Sequence, residues 1–249
     1  MPIDRYLGKL EGIRTSNKII LPASAPSTDF SLEDLTLSWR VNGVVYRNGI
    51  YTVDLLKVLL SHRTSRVQDQ WSEYSRNAIS NAQFYVGDFP LYYSLFTSLF
   101  KNKDSEYKHE IEQAKLFIKE SMFKYWLSTL TRIAYTPSGK DRVIHNHGLP
   151  DQYEVQEEIR GPDEWVKNAS DKRAYKAILD SEDTAEIQAV FNWITEKDAY
   201  LWRVNTKPKK IDERVAGFVA NSGGADLGCY GNPEYSNPSL GVRRAKIKT

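Results

Sequence analysis

Cysteine is almost absent from this chain of 249 residues, because Cys229 is the only one. A single thiol cannot form a disulfide within the chain, and it cannot supply the several ligands of a cysteine-rich zinc site. Disulfide-stapled domains and zinc knuckles are therefore excluded. A hydrophobic content of 41%, with 6 Trp, 15 Tyr and 9 Phe, is sufficient to build a core without such cross-links.

Net charge and long hydrophobic runs are also scarce. The 34 Lys and Arg against 32 Asp and Glu leave a formal charge of +2, so no overall field attracts nucleic acid or anionic lipid. The most apolar stretch, 89–100, is much shorter than the roughly 20 residues that span a bilayer. The first ten residues lack the apolar run of a secretory signal. We therefore expect no membrane insertion and, by default, a cytoplasmic location.

Hydrophobic spacing and turn signals predict a mixture of helices and strands. Residues 35–46 alternate between apolar and polar, with Asn42-Gly43 as a turn signal, which indicates a strand or hairpin. Helices are predicted from Thr52, over 106–135, and after a cap at Asp183 or Thr184. Short strands are predicted at 142–144, 200–205 and 214–218, and a loop-dominated segment at 219–238. These elements predict an α+β fold.

A metal-dependent enzyme or metal-binding protein is one possible function. His145 and His147 are two residues apart, so on a strand both imidazoles would face the same way and could chelate a metal. A third ligand, such as Asp151 or Glu154, would have to come from another element. The alternative interpretation is a solvated loop, and we expect no cofactor.

A basic nucleic-acid-binding module is a second possible function. Two basic patches are present, and neighbouring aromatic rings could stack on bases. The members of these patches are Lys207, Lys209, Lys210, Arg243, Arg244, Lys246 and Lys248. Such runs are more commonly solvated surface, so we expect no nucleic-acid partner. Because no His lies near Ser222, Cys229 or Ser236 in the sequence, a nucleophilic enzyme is not expected either.

The C-terminal part of the chain resembles a known class of variable protein. It contains Arg214-Val-Ala-Gly-Phe218, then a polar irregular stretch, then Pro238-Ser-Leu-Gly-Val-Arg243. This pattern is similar to the variable region that closes the target proteins of diversity-generating retroelements, especially those of archaea. The resemblance implies one domain, 1–249, with a C-type lectin-like fold of the formylglycine-generating-enzyme subtype, in which helices pack on a twisted antiparallel sheet. It also implies a variable region at 215–242.

The genetic code offers a check on this resemblance. In that family, errors at template adenines convert Asn codons into many others, but never into codons for Lys, Glu, Gln, Met or Trp. Residues 215–242 contain no Lys, Gln, Met or Trp, and Glu234 is the only Glu. An ordinary Gly/Asn/Ser loop, which avoids the same residues for conformational reasons, is the alternative explanation.

The resemblance implies a non-catalytic protein that displays a variable binding surface to a macromolecular ligand, most simply a protein. Fixed residues should anchor the backbone while variable ones face solvent. We predict the anchors to be Ala216, Phe218, Ala220, Ala225, Leu227, Pro233 and Leu240. We predict the ligand-facing positions to be Val219, Ser222, Gly223, Asp226, Gly228, Tyr230, Gly231, Asn232, Tyr235 and Asn237. The identity of the ligand and the oligomeric state are open. The calcium-dependent sugar-binding motifs of C-type lectins do not occur here.

Overall fold

A four-stranded antiparallel sheet joins the two ends of the part of the chain that the structure describes. The structure, a computed structural model, describes residues 30–60 and 64–247. Three strands follow one another: Ser31–Asp34 (β1), Ser38–Tyr46 (β2) and Gly49–Leu56 (β3). The last strand of the chain, Val242–Lys246 (β11), pairs with β3 and completes the order β1-β2-β3-β11.

A seven-stranded sheet forms the larger part of the fold. Its strands are Leu127–Tyr135 (β4), Asp141–His145 (β5), Tyr153–Glu157 (β6), Glu164–Trp165 (β7), Ala199–Trp202 (β8), Asp212–Ala220 (β9) and Ala225–Gly231 (β10). The order is β6-β5-β4-β9-β10-β8-β7, and only the β10–β8 pair is parallel. The β9 and β10 strands, which carry most of the segment 215–231, are therefore central.

Five α-helices lie in the described residues and pack on these sheets. They are Gln68–Ser80 (α1), Phe89–Lys101 (α2), Lys108–Lys124 (α3), Arg173–Leu179 (α4) and Thr184–Thr195 (α5). The α2 helix contacts β2 of one sheet and β4 of the other, and most of its side chains are buried. The fold is thus α+β with antiparallel-rich sheets, as the sequence predicted.

The core is centred on an aromatic cluster beneath β9. The Phe218 ring lies 4.2 Å from that of Phe89 and 5.6 Å from that of Phe96, both on α2. Phe191 of α5 lies 5.7 Å from Phe218 on the same side. One contiguous set of buried side chains includes residues of both sheets, so burial of apolar area links them.

Several predicted elements are confirmed. The α5 helix begins where the sequence indicated, since the Asp183 carboxylate accepts a hydrogen bond of 2.9 Å from the Glu186 amide. The strands at 142–144, 200–205 and 214–218 correspond to β5, β8 and β9, with shifted ends.

Other predicted elements are wrong. Thr52 lies within β3 and begins no helix, because Val53 and Leu55 alternate inward and pair with β2. Asn42-Gly43 forms an irregularity inside β2, where Gly43 has φ 76°, and the hairpin turns at Arg47 with φ 51°. The predicted helix over 106–135 is α3 followed by β4, and the loop-dominated tail contains β10.

No helix in the described residues has the length and apolar character needed to cross a membrane.

Candidate ligand-binding face

Along strand β10, the predicted anchors and the predicted ligand-facing positions alternate, so their side chains point to opposite sides of the sheet. Ala225, Leu227 and Cys229 are completely buried on the side of the aromatic core. Asp226, Gly228 and Tyr230 occupy the alternate positions, which lie on the opposite side of a strand. We call this opposite side of β8, β9 and β10 the outer face. The predicted alternation of anchors and candidates is therefore a property of a strand, although the sequence suggested a loop.

A row of aromatic side chains extends across the outer face. The rings of Trp165 and Tyr200 have centroids 4.8 Å apart, and those of Tyr200 and Trp202 are 4.9 Å apart. Tyr230 continues the row, 6.1 Å from Trp202. Trp165, Trp202 and Tyr230 are exposed to 36%, 38% and 41%. Three of the four rings come from β7 and β8, so the sequence analysis of 215–242 missed them. Their only sequence signal was the spacing of Tyr200 and Trp202, which places both on one side of a predicted strand.

A shallow cavity of about 290 Å³ opens between this row and the loop that joins β9 to β10. It is lined by Trp165, Tyr200, Trp202, Asn221, Gly223, Gly224 and Asp226. The Asp226 side chain lies at its edge and accepts a hydrogen bond of 3.1 Å from the Asn221 amide. Burial raises the pKa of the Asp226 carboxyl, while hydrogen bonds from Trp202 and Asn221 oppose this rise. The cavity therefore combines exposed π-faces with one enclosed carboxyl group.

Trp126 restricts the other end of the outer face. A Cβ atom on residue 217 would lie 2.5 Å from its ring, and one on residue 231 would lie 2.7 Å from it. Residue 231 would also meet the Val215 carbonyl oxygen at 2.9 Å, whereas residue 228 would meet nothing closer than the Trp126 indole nitrogen at 3.3 Å. Gly231 thus has no space for a side chain, and Gly228 needs only a small shift of its neighbours.

The predicted ligand-facing positions divide into three groups by exposure. Ser222, Gly223, Tyr230 and Tyr235 are exposed, and Val219, Gly231, Asn232 and Asn237 are half-buried. Asp226 and Gly228 are buried, so the prediction that the whole set faces solvent is wrong for these two. The reason is tertiary, because Asn221 and Trp202 enclose Asp226 while Tyr230 and Trp126 cover Gly228. Among the predicted anchors, Phe218, Leu227 and Leu240 are buried and Pro233 is only half-buried.

The segment 232–237 leaves the sheet and attaches to the beginning of α1. The Pro233 carbonyl accepts a hydrogen bond from the Gln68 amide, and the Asn237 carbonyl accepts one of 2.8 Å from the Trp71 indole. The Asn232 side chain accepts a hydrogen bond from the Glu234 amide, which forms a turn. The backbone of this loop is therefore held firmly, while the Tyr235 side chain is 68% exposed.

The histidines of the metal hypothesis point to different environments. Asn146 has φ 51°, which ends the alternation of β5 after His145. His145 is buried, with Nδ1 3.0 Å from the Thr131 hydroxyl and Nε2 2.8 Å from the Ala177 carbonyl. Its pKa is lowered by burial. His147 instead lies 3.2 Å from the Asp69 carboxylate.

The other potential metal ligands are also engaged. Asp151 pairs with Arg244, and Glu154 accepts two hydrogen bonds of 2.8 Å from Arg142. Within residues 30–60 and 64–247, no three His, Cys, Asp or Glu side chains are grouped so that they could hold a metal ion. The same-face arrangement of His145 and His147 that the sequence suggested is therefore wrong.

The two basic patches differ in how their charges are paired. Arg243 forms an ion pair of 2.6 Å with Asp54, and Arg244 pairs with Asp151. Lys207, Lys209 and Lys210 are exposed in the connection between β8 and β9. Lys246 is exposed as well, and Lys248 lies outside the described residues. The C-terminal patch is thus partly neutralised by carboxylates of the fold.

Cys229 is a core residue of β10. It is completely buried, and burial raises the pKa of its thiol to about 12. Since the thiolate is the reactive form, this environment favours an inert side chain.

Comparisons with protein families, with curated proteins and with solved structures found no match for this chain.

Proposed function

We propose that this protein is a non-catalytic binding protein whose segment 215–242 is diversified to recognise different macromolecular ligands. We further propose that its α+β fold is of the C-type lectin-like type. The observation that carries the proposal is the alternation along β10, in which positions 226, 228 and 230 share the outer face while Ala225, Leu227 and Cys229 pack in the hydrophobic core. Such an arrangement permits side chains to change without loss of the core.

The composition of the outer face supports this proposal. Tyr, Ser, Gly and Asn at the candidate positions are residues that paratopes favour, since Tyr supplies rigid contact area and small polar residues adapt. The Trp residues of the face, Trp126, Trp165 and Trp202, all lie outside 215–242. Because they lie outside the segment proposed to vary, these rings would form a constant frame beside variable positions. Recognition would then combine fixed aromatic anchors with interchangeable neighbours.

The genomic test is to sequence the DNA that flanks the gene. The proposal predicts a near-identical repeat of the segment encoding 215–242, differing at adenines of the template, together with a reverse-transcriptase gene. The differences should fall at codons for Val219, Ser222, Gly223, Asp226 and Tyr230. Absence of both the repeat and the reverse transcriptase would contradict diversification.

The binding test uses two displayed libraries of equal size. The first randomises residues 219, 222, 223, 226, 230 and 235 with the codons reachable from Asn. The control library randomises six exposed residues of α3, namely Lys108, His109, Glu112, Gln113, Glu120 and Lys124. Selection against a panel of folded proteins should enrich binders from the first library with retained thermal stability. Equal enrichment from both libraries would show that the outer face has no special role.

A further inference from the structure

The Asp226 carboxyl group is enclosed without a cationic partner. Its residue is only 8% exposed, and it accepts a hydrogen bond of 3.1 Å from the neutral side-chain amide of Asn221. Among the residues that the structure describes, no Lys, Arg or His forms a salt bridge with Asp226. Because buried charges are normally paired, this carboxylate offers an unmet preference for a positive group.

The rings beside Asp226 favour the same kind of group. Adjacent rings meet at 76° for Trp165 and Tyr200 and at 61° for Tyr200 and Trp202, so they form a corner and not a flat stack. A cation that lies over such rings is attracted by their negative faces. The ammonium group of Lys167 already lies 5.7 Å from the Trp165 ring, although it is paired with Asp198 at 2.5 Å. The rings and the carboxyl group therefore both favour a positively charged ligand group.

The size of the cavity limits its occupant. A volume of about 290 Å³ is at or below the lower end of pockets that hold whole small molecules. One long side chain of a larger partner fits such a volume better than an independent ligand. A thin, flexible stem that ends in a positive charge also matches a cavity whose lining includes Gly223 and Gly224, which carry no side chains.

We infer that the cavity beside Asp226 receives a lysine or arginine side chain of the ligand protein. This inference rests on the proposed function for the existence of a protein ligand, and it identifies one chemical feature of that ligand. It also gives position 226 a specific role. Asp is reachable from Asn by replacement of one adenine, so a change at this codon would switch the preference of the cavity for a cation on or off.

The test is a titration of isotope-labelled protein, observed through its tryptophan indole N–H resonances. The probes are acetylated and amidated tripeptides: Gly-Lys-Gly, Gly-Arg-Gly and the neutral Gly-Gln-Gly. We expect saturable shifts at Trp165 and Trp202 with the two cationic peptides, and none at buried Trp71, which serves as the internal control. In Asp226→Asn the apparent affinity for the cationic peptides should fall about tenfold or more.

Glu234→Gln is the matched control variant, since Asp226 and Glu234 are the only acidic residues of 215–242 and Glu234 lies outside the cavity. It should bind the peptides as the parent protein does. Asp226→Ser is the second variant, and it should lose affinity like Asp226→Asn. Equal shifts with the neutral peptide, no shifts with any peptide, or full binding by Asp226→Asn would overturn the inference. Shifts caused by a short thymidine oligonucleotide in place of the peptides would do so as well, in favour of nucleic acid.

The outcome is separable from that of the proposed function. If the peptides bind as expected but the flanking DNA and the libraries give negative results, the cation-binding cavity is supported and the proposed diversification is contradicted. If the libraries yield binders that are indifferent to Asp226→Asn, diversification stands and the cation cavity fails.

Discussion

Asp226 is a carboxyl group that the fold encloses beside three aromatic rings. Its pKa is raised, chiefly by burial, above the ordinary value of 3.8. A raised pKa means that the folded state disfavours the ionised form relative to the unfolded chain. The stability that this group contributes is present below its unfolded pKa and is lost as pH rises through its folded pKa. At neutral pH, the ionised form of Asp226 is therefore less favourable for folding than its protonated form would be.

The first prediction concerns this residue. Asp226→Asn keeps an acceptor for Asn221 and removes the charge, so the variant should be more stable than the parent protein at pH 7. The difference should shrink at about pH 3, where the Asp carboxyl is protonated in both states. Urea unfolding at both pH values measures it. A variant that is less stable at pH 7 would contradict the inferred cost of ionisation.

The second prediction concerns the space that Trp126 leaves for a side chain at Gly231 and at Gly228. Gly231→Ala should destabilise the fold by about 1–3 kcal/mol, because its methyl group would overlap the Val215 carbonyl and the Trp126 ring. Gly228→Ala is the control and should cost less than about 1 kcal/mol, since its closest contact is 3.3 Å. Denaturant midpoints of the two variants give the comparison. Equal losses of stability in the two variants would show that the Trp126 side chain moves away without a measurable cost.

At the scale of the element, α2 depends on one buried cap. Asp88 is fully buried, accepts a hydrogen bond of 2.9 Å from the Leu91 amide, and accepts another of 2.7 Å from the Tyr46 hydroxyl. The first bond begins the helix, and the second ties it to β2 of the four-stranded sheet. This helix carries Phe89 and Phe96 against Phe218, so the cap also positions the core beneath β9.

The third prediction tests this cap. Asp88→Ala should lower the free energy of unfolding by about 2–4 kcal/mol, because it removes the cap and leaves the buried Tyr46 hydroxyl without its acceptor. Asp88→Asn should cost less, since its amide oxygen can still cap the helix. Thermal unfolding monitored by circular dichroism distinguishes the two. If both variants lose the same stability, the charge of Asp88 and not its cap geometry is what matters.

At the scale of the molecule, the candidate segment is held at both of its ends. It begins in β9, in the middle of the seven-stranded sheet, and ends at Val242 in the four-stranded sheet. Val242 and Tyr85 exchange two backbone hydrogen bonds of 2.8 Å, and Val242 is completely buried. The segment also contains β10, so changes between its ends leave both sheets intact only at exposed positions such as Ser222, Tyr230 and Tyr235.

The fourth prediction tests the C-terminal attachment. Val242→Asn should destabilise the fold by about 2 kcal/mol or more, because it replaces a buried apolar side chain with an unsatisfied amide. Ala245→Asn, on the same strand but exposed, should stay within about 0.5 kcal/mol of the parent protein. Chemical unfolding supplies both values. Similar losses of stability in the two variants would show that the effect of a polar side chain in β11 does not depend on its burial.

The overall charge distribution leads to the fifth prediction. With a formal charge of +2 and with Arg243 and Arg244 paired, binding of a ligand protein selected on the outer face should depend only weakly on salt. Titrations at low and physiological salt would measure this. A steep loss of affinity with salt that is abolished by changing Lys207, Lys209 and Lys210 to Gln would indicate a nucleic-acid-like mode of binding.

The α+β class, the α5 helix and the division of the tail into apolar anchors and small or polar positions could all be predicted from the sequence. These properties are local, since they depend on spacing, capping and composition. Leu227 and Phe218 could be assigned to the core because large apolar side chains are seldom left in water. The sequence could not reveal that Thr52 lies in a strand, because an apolar spacing that fits one side of a helix can also fit a strand.

The residues that lie beside the tail could be identified only from the three-dimensional structure. Trp126, Trp165 and Tyr200 reach the outer face from distant parts of the chain, because β4 pairs with β9, β7 pairs with β8, and β8 pairs with β10. For the same reason Asp226 is enclosed and Gly231 is restricted, although both look like exposed loop residues in the sequence. His145 and His147 are separated by a single left-handed residue, Asn146. The burial of a residue and the side chains around it depend on which distant strands pair, and the local spacing of residues does not reveal that pairing.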